Sequence, residues 1–151
     1  MELDTEELSI FSKTLNVLYI EDNKMARDSV LVLLDNFFNK IDVAVDGIDG
    51  YNRYIEYYKK NAKCYDLVIS DINMPNLNGI EMSKLMLDQC EHQNILIITA
   101  YNDKNRIEEL KAIGITHFVY KPLQLTKMIT TLQNILAVIK EKKVKIAKLT
   151  V

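Results

Sequence analysis

The chain has 151 residues, enough for one domain with a substantial core and a short appendage, but not for a second full domain. Hydrophobic content of 48%, charged content of 26% and a formal net charge of -2 are ordinary for a globular protein and exclude a general pull toward nucleic acid or an anionic membrane. Two cysteines, Cys64 and Cys90, make neither a disulfide framework nor a metal cluster, which points to a reduced, cytoplasmic compartment. The acidic start lacks the basic-then-apolar order of a signal peptide, and no apolar stretch approaches the ~20 residues that span a bilayer.

After an N-terminal extension of residues 1–14, strand-like and helix-like patterns alternate five times, which predicts a parallel sheet covered by helices on both faces. Val17-Leu18-Tyr19-Ile20 reads as strand one, ending in Glu21-Asp22. A helix follows Asn23, with Val30, Leu33, Leu34, Phe37 and Phe38 along one stripe. Ile41 to Val45 is strand two. Asp46-Gly47 and Asp49-Gly50 are turn and cap signals, and Tyr51, Tyr54, Ile55 and Tyr58 form a second amphipathic helix whose tyrosines pack with wet hydroxyl tips.

Leu67-Val68-Ile69 leads into Ser70-Asp71 as strand three. A loop with Pro75 and Gly79 precedes a helix bearing Ile80, Met82, Leu85, Met86 and Leu87. Strand four, Ile95 to Ile98, ends at Thr99. Asp103 is a cap for a fourth helix carrying Ile107, Leu110 and Ile113, which Gly114 terminates. Phe118-Val119-Tyr120 is strand five and ends in Lys121-Pro122. From Leu125 onward, Ile129, Leu132, Leu136 and Ile139 follow heptad spacing in a helix longer than sheet packing requires. Residues 143–149 alternate with period two and read as a frayed helix, a strand or the start of something further.

Four strands thus end in reactive polar groups, and open α/β sheets bind ligands beyond the carboxyl ends of their strands. Glu21, Asp22 and Asp71 would repel one another unless a cation sat among them, and oxygen-only ligands favour magnesium. Lys121 adds a positive charge and Thr99 a hydroxyl, so the pocket is matched to a phosphoryl group. Asp71 is the nucleophile candidate, with adjacent Glu21 and Asp22 as the metal-holding pair.

These residues closely resemble the receiver domain of bacterial two-component response regulators: Glu21-Asp22, Asp71-Ile72-Asn73-Met74-Pro75 with Gly79, Thr99-Ala100 and Lys121-Pro122, each after its strand. The resemblance covers residues 15–138, leaving 139–151 as an extension of the last helix or a linker. It implies a flavodoxin-like (CheY-like) α/β fold with a doubly wound five-stranded parallel sheet in the order 2-1-3-4-5. It also implies a switch rather than an enzyme: a histidine kinase or phosphotransfer protein donates a phosphoryl group to Asp71, and the domain assists its own phosphorylation and dephosphorylation. Glu21, Asp22, Asp71 and the backbone carbonyl of Asn73 would arrange Mg2+, with Thr99 and Lys121 on the phosphoryl oxygens.

By the same resemblance the Lys121–Pro122 peptide is cis. Phe118 is the switch aromatic, turning with Thr99 to alter the face made by the receiver's fourth helix, strand five and fifth helix. Asn73 and Tyr101 are positions that tune autodephosphorylation. Glu21-Asp22 departs from the commoner Asp-Asp pair by one longer arm. Neither His92 nor His117 has a second histidine at metal or relay spacing, and His117, near the start of strand five, reads as surface or interface.

Two other readings compete with the switch. A magnesium-dependent phosphatase of the haloacid dehalogenase type would carry a second Asp two residues after the nucleophile, where this chain has Asn73. A phosphate-independent pseudo-receiver would not need the acids, Thr99 and Lys121 together. No phosphate loop of the flavin or Gly-Lys-Ser/Thr kind is present. Partners are therefore an upstream kinase and a downstream protein or output domain, with no direct nucleic-acid binding and no membrane. The Lys140 to Lys148 run reads as a solvated face. Either the chain is a single-domain regulator, or its last helix is a coupling stalk that pairs two copies through the heptad seam.

Overall fold

The computed structural model describes residues 5–100 and 102–149. Five strands, β1 (Asn16–Ile20), β2 (Lys40–Ala44), β3 (Leu67–Asp71), β4 (Ile95–Ala100) and β5 (His117–Lys121), form one parallel sheet in the order β2-β1-β3-β4-β5. Six helices cover it: α1 (Thr5–Ser12), α2 (Lys24–Leu34), α3 (Gly47–Asn61), α4 (Gly79–Gln89), α5 (Lys104–Ala112) and α6 (Leu125–Leu149).

The continuous apolar runs are explained by burial on both faces. Side chains alternate across a strand, so Val17 and Tyr19 join a core under α1, α2 and α6, while Leu18 and Ile20 join a second core under α3, α4 and α5. β3 splits likewise, with Leu67 and Ile69 on one side and Val68 on the other. All five residues of β3 are buried, whereas edge strand β2 buries only Ala44.

Helix starts follow local chemistry. Asn23, Asp46 and Asn78 sit at the N-caps of α2, α3 and α4, and each side chain accepts from backbone amides of the first turn. Gly114, at φ 104°, turns the chain after α5. The tyrosine stripe of α3 is core packing: Tyr54 is 1% exposed and its hydroxyl bonds Gln93 Oε1 at 2.7 Å.

Several boundaries differ from the sequence expectation. α2 stops at Leu34, and Phe37 and Phe38 reach the core from the turn that follows, where both amides bond Leu34 O. Residues 1–14, read only as an acidic lead, contain α1, which lays Leu8 and Phe11 against the α6 side of the core. Residues 143–149, open between helix and strand from their period-two alternation, are the helical end of α6.

The expected heptad seam on α6 is not free for a second copy. Leu132, Leu136 and Ile139 are at most 2% exposed and belong to the chain's own core. A parallel sheet demands the same stripe of spacing three and four as a coiled coil, so spacing alone does not separate them. Past Ile139 the helix is held by Lys143 to Asp66 at 2.8 Å, Lys142 to Asn94 at 3.2 Å and Lys140 over the Phe11 ring. Cys64, after α3, and Cys90, after α4, read from sequence as unpaired thiols, are joined as a disulfide with Cα atoms 6.6 Å apart. They lie at a sequence separation of 26, a spacing that carries no motif.

Candidate functional site

Parallel strands carry their carboxyl ends to one edge, and Glu21, Asp71, Thr99 and Lys121 all lie there. The Glu21 amide extends the β1–β2 ladder by bonding Ala44 O at 3.1 Å, which turns its side chain inward at 3% exposure. Asp22, next along, faces solvent. Glu21, Asp22 and Asp71 each offer a carboxylate oxygen within 4.8 Å of one another.

Asp71 ends β3 in a buried position. Its Oδ1 accepts from the Ile72 amide at 2.7 Å and, less closely, from the Asn73 amide at 3.4 Å. Its Oδ2 accepts from Lys121 Nζ at 2.8 Å, and the same ammonium lies 3.5 Å from Glu21 Oε1. The cation therefore stands between two of the acids. Burial, reinforced by the Asp71 charge, holds the Glu21 carboxyl above the ordinary carboxylate range, while Lys121 pulls it the other way. Burial works to lower the Lys121 ammonium, but the Asp71 hydrogen bond and the neighbouring charges prevail and raise it.

The chain can approach itself this closely only at a glycine. The Cβ of any other residue at Gly79 would stand 2.3 Å from Asp71 O and 2.8 Å from Ile72 Cα. The Gly79 amide uses that proximity to bond Ile72 O at 2.8 Å, closing the β3–α4 loop beneath the carboxylate. Arg27, absent from the sequence expectation, adds a clamp from α2: its Nη1 donates to Glu21 O at 2.9 Å and to Asp22 O at 3.5 Å. The only sequence signal for it is a position one helical turn inside α2.

Thr99 is buried at the end of β4, but its hydroxyl turns to Asp103 Oδ2 at 3.2 Å. Asn73 is exposed, and its side chain bonds Asp103 and Arg106. Tyr101 lies outside the described residues. The Lys121–Pro122 peptide is cis. Phe118, three residues before Lys121, is half-buried on β5, with Lys111 Nζ 6.0 Å from its ring centre. His92 and His117 line a groove at the opposite end of the sheet with Lys142.

The acids suit a hard divalent cation: their donors are all oxygen, Glu21 is buried and Asp22 is open to solvent. With a lysine ammonium beside them, the edge can hold a metal and an oxyanion side by side.

A model of the response regulator receiver domain matches residues 17–133. The chain is 27% identical over 121 residues to the chemotaxis protein CheY of Treponema pallidum, covering 80% of this chain and 81% of that protein. It is 30% identical over 118 residues to the transcription factor prr1 of Schizosaccharomyces pombe, covering 78% of this chain but 21% of the factor, so this relative extends well beyond the match. Among solved structures, the N-terminal domain of an uncharacterized protein from Wolinella succinogenes superposes with a TM-score of 0.70 at 25% identity, covering 89% of this chain and 98% of that one.

Proposed function

Because the chain belongs to the response regulator receiver domain family, we propose that it is a signalling switch that takes a phosphoryl group on Asp71 from a phosphohistidine of a kinase or phosphotransfer protein. The observation that carries this is the Asp71 carboxylate at the end of β3, buried, with one oxygen held by the Ile72 amide and the other by Lys121, beside Glu21 and Asp22.

An Asp71 oxygen attacks phosphorus. A P–O bond forms while the P–N bond breaks and its electron pair returns to the imidazole. Lys121, already at the carboxylate, neutralises charge on the incoming oxygens, and the backbone amide at Oδ1 keeps the other oxygen in place. Glu21, Asp22, Asp71 and the Asn73 carbonyl would hold Mg2+, which when bound supplies further neutralisation of the phosphoryl oxygens. Thr99 contributes a hydroxyl to the phosphorylated state, and Phe118 moves with it.

The output is read on the face of α5, β5 and α6. A groove of about 470 Å³ between β5 and α6, lined by Phe118, Tyr120, Pro122, Gln124, Lys127 and Thr131, lies on it. A target protein or output domain docks there, its affinity set by the Phe118 position. The receiver proper is assigned to residues 15–138, with 1–14 and 139–151 as extensions. No helix among the described residues is long and apolar enough to cross a membrane.

Incubation with acetyl phosphate and Mg2+ tests the reading. One phosphoryl group added to the wild type and absent from Asp71→Asn supports the switch. Steady phosphate release with no stable adduct supports the phosphatase reading, and an unmodified chain supports the pseudo-receiver.

A further inference from the structure

Asp103 stands at the N-cap of α5, the place where an aspartate carboxylate ordinarily accepts from the first-turn amides. It accepts from none of them. The cap residues of α2, α3 and α4 all make that bond, and α5 departs from them. The Asp103 carboxylate is instead directed back toward the strand ends. Its Oδ2 accepts from Thr99 Oγ1 at 3.2 Å and from Asn73 Nδ2 at 3.2 Å. Arg106, one turn into α5, donates to Asn73 Oδ1 and completes the chain of contacts.

One carboxylate oxygen therefore ties the end of β4 to the β3–α4 loop. A threonine hydroxyl has a single proton to donate. While that proton serves Asp103, it is not available to an oxyanion on Asp71. Asp103 also places a further negative charge on the side from which a phosphoryl group would recruit Thr99.

Resting on the reading of Asp71 as phosphoacceptor, we propose that Asp103 is a positioning residue, a latch that holds the Thr99 hydroxyl and the Asn73 carboxamide in the resting state. The phosphorylated state has to take the Thr99 donor away from it. Contacts made only in the resting state subtract from the apparent affinity for the phosphoryl group. The strength of the latch thus sets how readily the domain is switched.

Beryllofluoride with Mg2+, a phosphoryl mimic needing no group transfer, tests this on the full chain, with binding followed by the Thr99 methyl resonance. Asp103→Ala is expected to lower the half-saturating concentration roughly three- to tenfold, the range for losing one or two such hydrogen bonds, and to move the unliganded Thr99 resonance toward its bound position. Asp103→Asn, whose amide oxygen still accepts from both partners, is expected to stay closer to wild type. Equal tightening in both variants would assign the effect to charge alone and overturn the latch. An unchanged affinity in Asp103→Ala, with the wild type binding normally, would overturn it as well. Failure of the wild type to bind the mimic at all would reject the phosphoacceptor reading, and the latch with it.

Discussion

Lys121 Nζ donates to Asp71 Oδ2 at 2.8 Å across fifty residues of sequence. β3 and β5 are not neighbours; β4 lies between them. The ammonium therefore reaches across the carboxyl end of the sheet and offsets charge that burial makes costly on Asp71 and Glu21.

Replacing Lys121 by Met removes that compensation. The lysine side chain is 36% exposed, so solvent screens the pair and the expected loss is about 1–2 kcal/mol rather than the several of a fully buried pair. Mg2+ is expected to raise the melting temperature more in Lys121→Met than in the wild type, because the acids lack their resident cation. Thermal melts in EDTA and in Mg2+ measure both effects, and equal increments would contradict the shared role.

Gly79→Ala puts a methyl group against the Asp71 carbonyl at a contact no real Cβ tolerates. Because the obstruction is backbone, the loop must move, at a cost of about 2–3 kcal/mol. Phosphorylation by acetyl phosphate should slow as well, since the displaced segment carries the amides that hold Asp71 Oδ1. A variant with wild-type stability and rate would show that the loop is free to shift.

Leu8→Ala tests whether α1 is part of the domain. Leu8 is 9% exposed and packs in the α6-side core, so its truncation should cost about 2 kcal/mol, or ~4–8 °C of melting temperature in a chain of this size. Ile10, on the same helix but 64% exposed, provides the control: Ile10→Ala should change little. Equal effects at the two positions would remove α1 from the core.

His117 confers a pH dependence. Burial, and secondarily Lys142, depress its imidazole below the ordinary 6.5. The unfolded chain thus takes up this proton at a higher pH than the folded one. Its contribution to stability is present above about pH 6.5 and is lost as pH falls through the depressed value. Urea unfolding between pH 7.5 and 5 should show a steeper loss in the wild type than in His117→Gln, and parallel curves would exclude the residue as a source.

What the sequence determined by itself is the set of strand ends. Short apolar runs, turn residues and cap residues act over a few positions, so Glu21, Asp22, Asp71, Thr99 and Lys121 could be placed at strand ends one segment at a time, and their joint chemistry pointed to a metal beside a phosphoryl group. The start of α2 after Asn23 and the turn at Gly114 were legible for the same reason. What only the tertiary structure decided is who touches whom. Asp103 was readable as a cap, but its diversion to Thr99 and Asn73 depends on two loops meeting, and no local pattern encodes that. The α6 stripe was visible while its partner was not, because burying a helix against a sheet or against another helix calls for the same spacing. α1 is not legible in the sequence because a short helix gains its stability from the surface it covers. That surface, the α6 side of the core, exists only once the sheet has formed.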